Sequence, residues 1–407
     1  MKCGLLGRKL AHSYSPQIHS YLGTYPYILY EKEPEEIGEF LQFGDFTAIN
    51  VTIPYKKDVI PYCTELTECA KKMGAVNTVV RRTDGSLIGH NTDYFGLHYT
   101  FRRMGIPLNG KKVLVLGSGG ASVTTVIVLK ELGANVVVIS RSGENNYGNL
   151  HLHRDASVIV NTTPVGMYPN AGNSPVDLDE FPNLEGVLDI IYNPARTKLL
   201  LDAAARNIPC ENGLWMLVAQ AKEAAEWFTG TTIDDAIIPE IYANMCKRME
   251  NIVLIGMPGC GKSTVGKLLA QELNRQFIDA DAMVVQKAGM TIPEIFETHG
   301  EHAFRALETQ VLAELGQRSS LVIATGGGCV TRAENYPLLH QNGTIYWLQR
   351  DISSLPTRGR PLSKAGNLEE MYRIRKPLYE TFADHIVFNS TTVAQAVESI
   401  TKGRNKA

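Results

Sequence analysis

The sequence predicts an α/β chain built from three successive blocks. Three observations carry that prediction. Short apolar strands alternate with helical stretches along the chain. A glycine-rich loop, Gly117–Ser122, lies between the strand Val113–Leu116 and a helix. A second such loop, Gly256–Ser263, directly follows the apolar run Ile252–Ile255. At 407 residues the chain is long enough for two or three domains.

Composition narrows the class. With 44% hydrophobic and 20% charged residues the chain reads as globular. A formal net charge of −2 gives no reason to expect nucleic acid or an anionic membrane as partner, so anionic ligands have to be held by local groups. No apolar run approaches the roughly 20 residues of a bilayer span. Met1-Lys2-Cys3-Gly4 leads into a strand-like Leu5-Leu6 with no signal-peptide pattern. Seven cysteines without zinc-type spacing read as reduced thiols, and a cytoplasmic location is expected. Cys260 and Cys329 read as small residues filling tight turns.

The first block runs to about His98, with strands at Ala48–Ile53 and Thr78–Arg82. The second has strands at Val113–Leu116, Asn135–Ser140, Val158–Asn161 and Gly186–Ile190, with helices ending near Leu132 and spanning Thr197–Arg206. Trp215–Phe228 and Ile233–Met249 have helical periodicity. The third block opens at Ile252 with no Pro/Gly/Ser tether before it, so the two parts are expected to abut. The expected boundaries are 1–250, divided into a substrate domain (about 1–98 and 215–248) and a cofactor domain (about 99–214), and 251–407.

Gly256-Met257-Pro258-Gly259-Cys260-Gly261-Lys262-Ser263 matches GxxxxGK[ST] between a strand and the helix Thr264–Leu273, the context that phosphate loop requires. Its glycines let backbone N–H groups converge on phosphate at a helix N-terminus, so Gly259, Cys260, Gly261, Lys262, Ser263 and Thr264 are the candidate ATP contacts. Lys262 is placed to reach the β/γ phosphates and the Ser263 hydroxyl to ligate Mg²⁺. Asp279 and Asp281, two apart at a strand end, suit Mg²⁺ and an acceptor hydroxyl; the plainer alternative is a helix N-cap. Gly326-Gly327-Gly328 marks a close backbone approach. Arg358, Arg360 and Arg375 lie in segments that could close over phosphates.

FIDAD, EIFETHGEHAFRALE, TGGG, RGRPL and RKPLY occur in this order, and the stretch from Asn251 to about Thr392 resembles the shikimate kinases. That resemblance implies that Asp281, Arg305, Gly327 and Arg375 hold shikimate, and that Asp279 is an Mg²⁺ partner. It also implies that Asp281 is base or orienter of the attacking hydroxyl and Arg360 the lid arginine on ATP. The segment Leu355–Leu362 is short for that lid, which leaves Arg358 as the alternative.

In the second block, Gly117-Ser118-Gly119-Gly120-Ala121-Ser122 fits the dinucleotide fingerprint loosely, with Ser122 at its third position. The next strand ends Ser140-Arg141-Ser142, with no acid to grip a ribose 2′-hydroxyl. Arginine there favours a 2′-phosphate, hence NADP over NAD. In the first block, Ser13 and Ser15, Lys56 near a proline turn, and the amides and carboxylate of Ala75–Thr78 and Gly89–Asp93 form a polar set suited to a hydroxylated ring acid.

HSYSP, NVTIPYK, GAVNT, GHNTD, NTTPVGM, DIIYNP and GLWMLVAQ follow one another in the order of the shikimate dehydrogenases, and Met1 to about Met249 resembles that family. The resemblance implies a catalytic pair, Lys56 and Asp93. It implies Ser13, Ser15 and Tyr192 on the substrate carboxylate, and Thr52, Asn77, Asp93 and Gln220 on the rest of the ring. Gly117, Ser118, Gly119, Gly120, Ala121 and Arg141 would hold NADPH, with Ile190 and Gly213 at its nicotinamide. Two departures follow Arg141. Gly143–Tyr147 lacks a second basic residue, and the stretch to Asp155 is short and polar for a crossover helix.

The two resemblances together imply a shikimate-dehydrogenase-like substrate domain, a Rossmann-like NADP domain and a P-loop kinase domain. They imply NADPH-dependent reduction of 3-dehydroshikimate followed by Mg-ATP-dependent phosphorylation of shikimate. One half's product is the other's substrate, which supports the pairing. Quinate with NAD is the rival for the first half; Ser13, Ser15 and Arg141 argue against it. A non-catalytic half is the other rival, opposed by both complete residue sets.

Overall fold

The computed structural model describes residues 1–11, 13–355 and 368–406. They form two compact units: Met1–Gly166, Asn173–Tyr192 and Asp202–Met245 in the first; Met167–Gly172, Asn193–Leu201 and Cys246–Ala407 in the second.

The first unit contains two sheets. One has strands β1 (Cys3–Gly7), β2 (Tyr27–Glu31), β3 (Ala48–Val51), β4 (Glu65–Leu66), β5 (Thr78–Arg81) and β6 (Leu87–His90), in the order β2-β1-β3-β5-β6-β4. β1 and β3 are buried along their whole length, and Leu6, Ile49, Val51, Tyr55 and Val79 share one core. β3, β5 and β6 pair antiparallel, with Asn50 opposite Thr78 and Thr78 opposite His90. That register sets the end of β3, the start of β5 and the end of β6 on one edge, where the loops carrying Lys56, Asn77 and Asp93 emerge. β3 stops at Val51, short of the expected Ile53, because Pro54 has no N–H for a ladder and biases the residue before it.

The second sheet has β7 (Lys112–Leu116), β8 (Asn135–Ile139), β9 (Val158–Asn161), β10 (Gly186–Asp189) and β11 (Cys210–Asn212), all parallel, in the order β11-β10-β9-β7-β8. Counted from its own first strand this is a doubly wound 2-1-3-4-5 sheet, whose switch point falls between β7 and β9. A 3₁₀ turn, Leu150–His153, stands where a crossover helix would connect β8 to β9, as the short polar sequence implied. Helices Asp93–Met104 and Leu214–Thr229 pack against each other. The last helix of this region begins at Ile237 rather than Ile233. The Asp234 carboxylate accepts from Ala236 N–H, and Asp235 pairs with the buried Lys222 of the preceding helix, so one local and one distant polar bond win over apolar periodicity there.

The second unit is built on β12 (Asn251–Ile255), β13 (Gln276–Asp279), β14 (Leu321–Ala324), β15 (Gly343–Gln349) and β16 (His385–Phe388), parallel throughout, in the order β13-β14-β12-β15-β16. β12 and β14 are buried at every position, and Leu254, Val265, Val311, Ile323 and Trp347 are part of one core. All strands point the same way, so the loops after β12, β13 and β14 leave from one edge. Within this unit Arg196 donates to the carbonyl oxygens of His340 and Gly343, and Arg275 and Arg404 hold the chain at Lys247 and Glu250.

Candidate active sites

The first site grows from the edge described for β3, β5 and β6. Lys56 Nζ donates to Asp93 Oδ2 at 2.5 Å, with the lysine side chain 30% and the aspartate side chain 15% exposed. Both ends of the pair are fixed by their neighbours. Lys56 O accepts from Val76 N–H at 2.7 Å, and Asp93 opens its helix with its N–H on Asn91 Oδ1 at 3.1 Å. The buried Asn77 donates to Thr92 Oγ1 at 3.0 Å and accepts from Thr92 N–H at 2.8 Å, while Thr92 Oγ1 donates to Gln220 Oε1 at 3.1 Å. Lys56, Asn77, Asp93 and Gln220, predicted from four separate segments, are thereby linked. Thr52 follows β3, its N–H on Leu6 O at 2.9 Å.

Ser15 begins the helix Ser15–Leu22 and its N–H donates to Ser13 Oγ at 3.2 Å. Between them, the Tyr14 ring meets Tyr192 edge-on at 6.2 Å, which brings Tyr192 against the segment that carries the two serines. Burial pushes the Tyr192 phenol up, which keeps it a neutral donor. Thr92 and Asn50 were not singled out from sequence. Both are buried in this network, and only their place within GHNTD and NVTIPYK hinted at it.

The cofactor loop turns between β7 and the helix Gly120–Glu131. Gly117 adopts φ +106°, and a Cβ there would come within 2.8 Å of Thr162 Oγ1, across the switch point. A Cβ on Gly119 or Gly120 would meet only open space, which leaves the backbone approachable by a phosphate. Ser122, the departure from the fingerprint, is buried and donates to Gly117 O at 2.7 Å, so its hydroxyl ties the loop closed. Arg141 is exposed at the turn after β8. Ile190 and Gly213 come together: a Cβ on Gly213 would overlap Ile190 O.

The second site sits after β12, β13 and β14. Gly259 and Gly261 have φ +86° and +102°, and the helix Lys262–Glu272 begins at the loop's end with Ser263 and Thr264 exposed. Lys262 Nζ is folded over the loop, donating to Gly256 O at 2.8 Å and Met257 O at 3.1 Å. Asn389 Nδ2 donates to Cys260 O at 2.7 Å and steadies the turn. Ser263 Oγ donates to Asp279 Oδ2 at 2.7 Å, while Asp279 Oδ1 accepts from Asp281 N–H. Asp279 is thus the N-cap of Ala280–Ala288, the plainer of the two sequence readings, and at the same time the partner of the phosphate-loop hydroxyl. A hydroxyl and a carboxylate side by side are hard oxygen donors of the kind Mg²⁺ takes together with phosphate and water.

Around Gly326–Gly328 the remaining residues converge. A Cβ on Gly326 would meet Asp281 Oδ1 at 2.7 Å and overlap Glu308, and one on Gly328 would strike the Arg305 guanidinium. Arg375 Nη1 donates to Gly327 O at 3.1 Å. Arg305 pairs with Glu308 at 2.7 Å and with Glu301 at 3.2 Å. Burial raises the Glu308 carboxyl and Arg305 opposes that shift; sequence reading did not single out this acid. Burial also pushes the Cys329 thiol up to about 12, an inert small residue as expected. Arg358 and Arg360 lie outside the described residues.

A shikimate kinase family model matches residues 258–403, and a model of the shikimate dehydrogenase substrate binding domain matches residues 5–79. A shikimate dehydrogenase (NADP(+)) of Clostridium beijerinckii is 34% identical over 262 residues, spanning 59% of this chain and 96% of the relative. Among solved structures, shikimate dehydrogenase 1 of Peptoclostridium difficile aligns at 36% identity and TM-score 0.55 over 60% of this chain and 98% of its own. A chorismate mutase/shikimate 5-dehydrogenase fusion protein from Clostridium acetobutylicum aligns at 35% identity and TM-score 0.57, over 60% and 96%.

Proposed function

The chain belongs to the shikimate dehydrogenase family and continues into a shikimate kinase domain, and from this premise we infer two consecutive reactions in one protein: NADPH-dependent reduction of 3-dehydroshikimate, then ATP-dependent phosphorylation of the shikimate formed. The observation that carries the reading is the presence in one chain of two assembled sets, Lys56 with Asp93 and the phosphate loop with Ser263 and Asp279. The division of labour follows the boundaries at 1–250 and 251–407. No described helix is long and apolar enough to cross a membrane, and we place the enzyme in the cytoplasm.

When bound, NADPH supplies a hydride, and Mg-ATP the phosphoryl group and its charge neutralisation. The chain does the rest. In the first site Ser13, Ser15 and Tyr192 hold the substrate carboxylate, and Thr52, Asn77 and Gln220 its hydroxyls. Lys56 then presents an N–H to the ketone oxygen, where its charge favours the negative charge developing there and its proton passes to that oxygen to complete the hydroxyl as the carbon is reduced. Asp93 aims that ammonium through the 2.5 Å bond. Gly117–Ala121 and Arg141 hold the dinucleotide phosphates, and Ile190 and Gly213 wall the nicotinamide.

In the second site Arg305 and Arg375 hold the shikimate carboxylate and Gly327 the ring. Asp281 orients the 3-hydroxyl for attack. Lys262 leaves the loop carbonyls for phosphate oxygens, and Ser263 and Asp279 hold Mg²⁺.

Single substitutions in the full chain test this. Lys56→Ala abolishes NADPH oxidation and leaves shikimate phosphorylation intact; Lys262→Ala does the reverse. Loss of both activities from either substitution would contradict two separate sites.

A further inference from the structure

Tyr379 lies on the helix Leu368–Phe382, fully buried, one turn beyond Arg375. At this spacing two side chains occupy one helix face. Both reach the same acceptor: Tyr379 Oη donates to Gly327 O at 2.5 Å, and Arg375 Nη1 to that oxygen at 3.1 Å. The Tyr379 hydroxyl is also 3.8 Å from Met257 Sδ in the phosphate loop, and its ring stacks on the buried Trp347 at 5.6 Å. Gly327 is confined from the other side, since a Cβ there would come within 2.6 Å of Pro258 Cδ and 2.9 Å of Pro258 N. Gly327 is therefore clamped between the phosphate loop and this helix, with the phenol as the neutral member of the clamp. Burial raises the phenol pKa, so the group remains a donor across the working pH range.

We propose that Tyr379 is a positioning residue for the kinase reaction, its hydroxyl fixing the Gly327 peptide against which shikimate binds. The inference rests on the kinase reading above. On that reading Arg375 serves the ligand carboxylate and leaves the carbonyl when shikimate arrives. The fully buried phenol stays on the carbonyl and holds the peptide in place meanwhile. A carbonyl that loses this bond keeps only a donor with a competing task.

Tyr379→Phe in the full chain tests the idea, because it keeps the ring on Trp347 and removes only the hydroxyl. Loss of one well-made buried hydrogen bond predicts a roughly five- to tenfold rise in KM for shikimate in the kinase reaction, with KM for ATP within about twofold of wild type. Dehydrogenase kinetics of the same sample stay unchanged and report its concentration, while an unfolding temperature equal to wild type reports that the kinase part is folded. Tyr379→Leu, which also removes the ring, lowers the unfolding temperature of the kinase part as well. An unchanged shikimate KM in Tyr379→Phe overturns the proposal. So does an equal rise in both KM values with a lowered unfolding temperature, which is the signature of packing alone. Failure of the wild-type chain to phosphorylate shikimate would instead remove the kinase reading itself.

Discussion

Gly213→Ala perturbs the proposed nicotinamide wall by one methyl group. Gly213 caps the helix Leu214–Thr229 with φ −71° and ψ −2°, a backbone any residue adopts, so the constraint is space alone. The added Cβ would overlap Ile190 O and lie 2.5 Å from Ile190 C and 3.0 Å from Ile190 Cα. These are backbone atoms with no rotamer to escape into. Restoring a carbon–carbon separation of about 3.5 Å requires the two segments to part by roughly 1 Å. Over-packing of that kind costs about 1–3 kcal/mol, which corresponds to about a 5- to 150-fold loss in kcat/KM for NADPH if the strain falls on the cofactor site. Steady-state dehydrogenase rates against NADPH measure it, with shikimate phosphorylation by the same sample as the control for concentration and thermal unfolding as the control for folding. A kcat/KM within about twofold of wild type would refute the placement of Ile190 and Gly213 at the nicotinamide.

Two further expectations concern His19 and Arg141. His19 is buried between Tyr27 at 4.1 Å and Phe228 at 5.5 Å, and burial lowers its pKa to about 3. Between that value and the unfolded value of about 6.5 the unfolded chain binds the extra proton, so stability rises with pH in this window; moving from pH 7 to pH 5 costs about 2 kcal/mol. Denaturant unfolding of wild type and His19→Phe at both pH values checks this; equal slopes in the two proteins would remove His19 as the cause. Arg141→Ala weakens NADPH by about 10- to 100-fold in KM, the scale of a charge-assisted bond, and leaves NADH nearly unchanged. Equal effects on the two cofactors would disconnect Arg141 from the 2′-phosphate.

What could be read from the sequence was mostly local. The phosphate loop is a contiguous run whose strand and helix neighbours confirm it, and the absence of a helix between β8 and β9 was visible in a short polar stretch. Lys56 and Asp93 are 37 residues apart, and nothing in local periodicity joins them; only the family resemblance did. Ser122 read as a flaw in the dinucleotide fingerprint, whereas its hydroxyl replaces glycine packing with a bond to Gly117 O. Tyr379 and Glu308 stayed hidden because each is one residue on an amphipathic helix face, where sequence shows burial but not the carbonyl or guanidinium it meets. The helix expected from Ile233 started later for a related reason: the Asp235–Lys222 pair that stops it is a long-range contact.

The most direct test of two reactions in one protein follows a single label through both. The purified full chain is supplied with 3-dehydroshikimate, Mg-ATP and NADPH deuterated at the transferred position, and the products are weighed by mass spectrometry. The account predicts shikimate 3-phosphate carrying one deuterium, formed without any added enzyme. Deuterated shikimate that accumulates unphosphorylated, or 3-dehydroshikimate recovered unreduced, would contradict it.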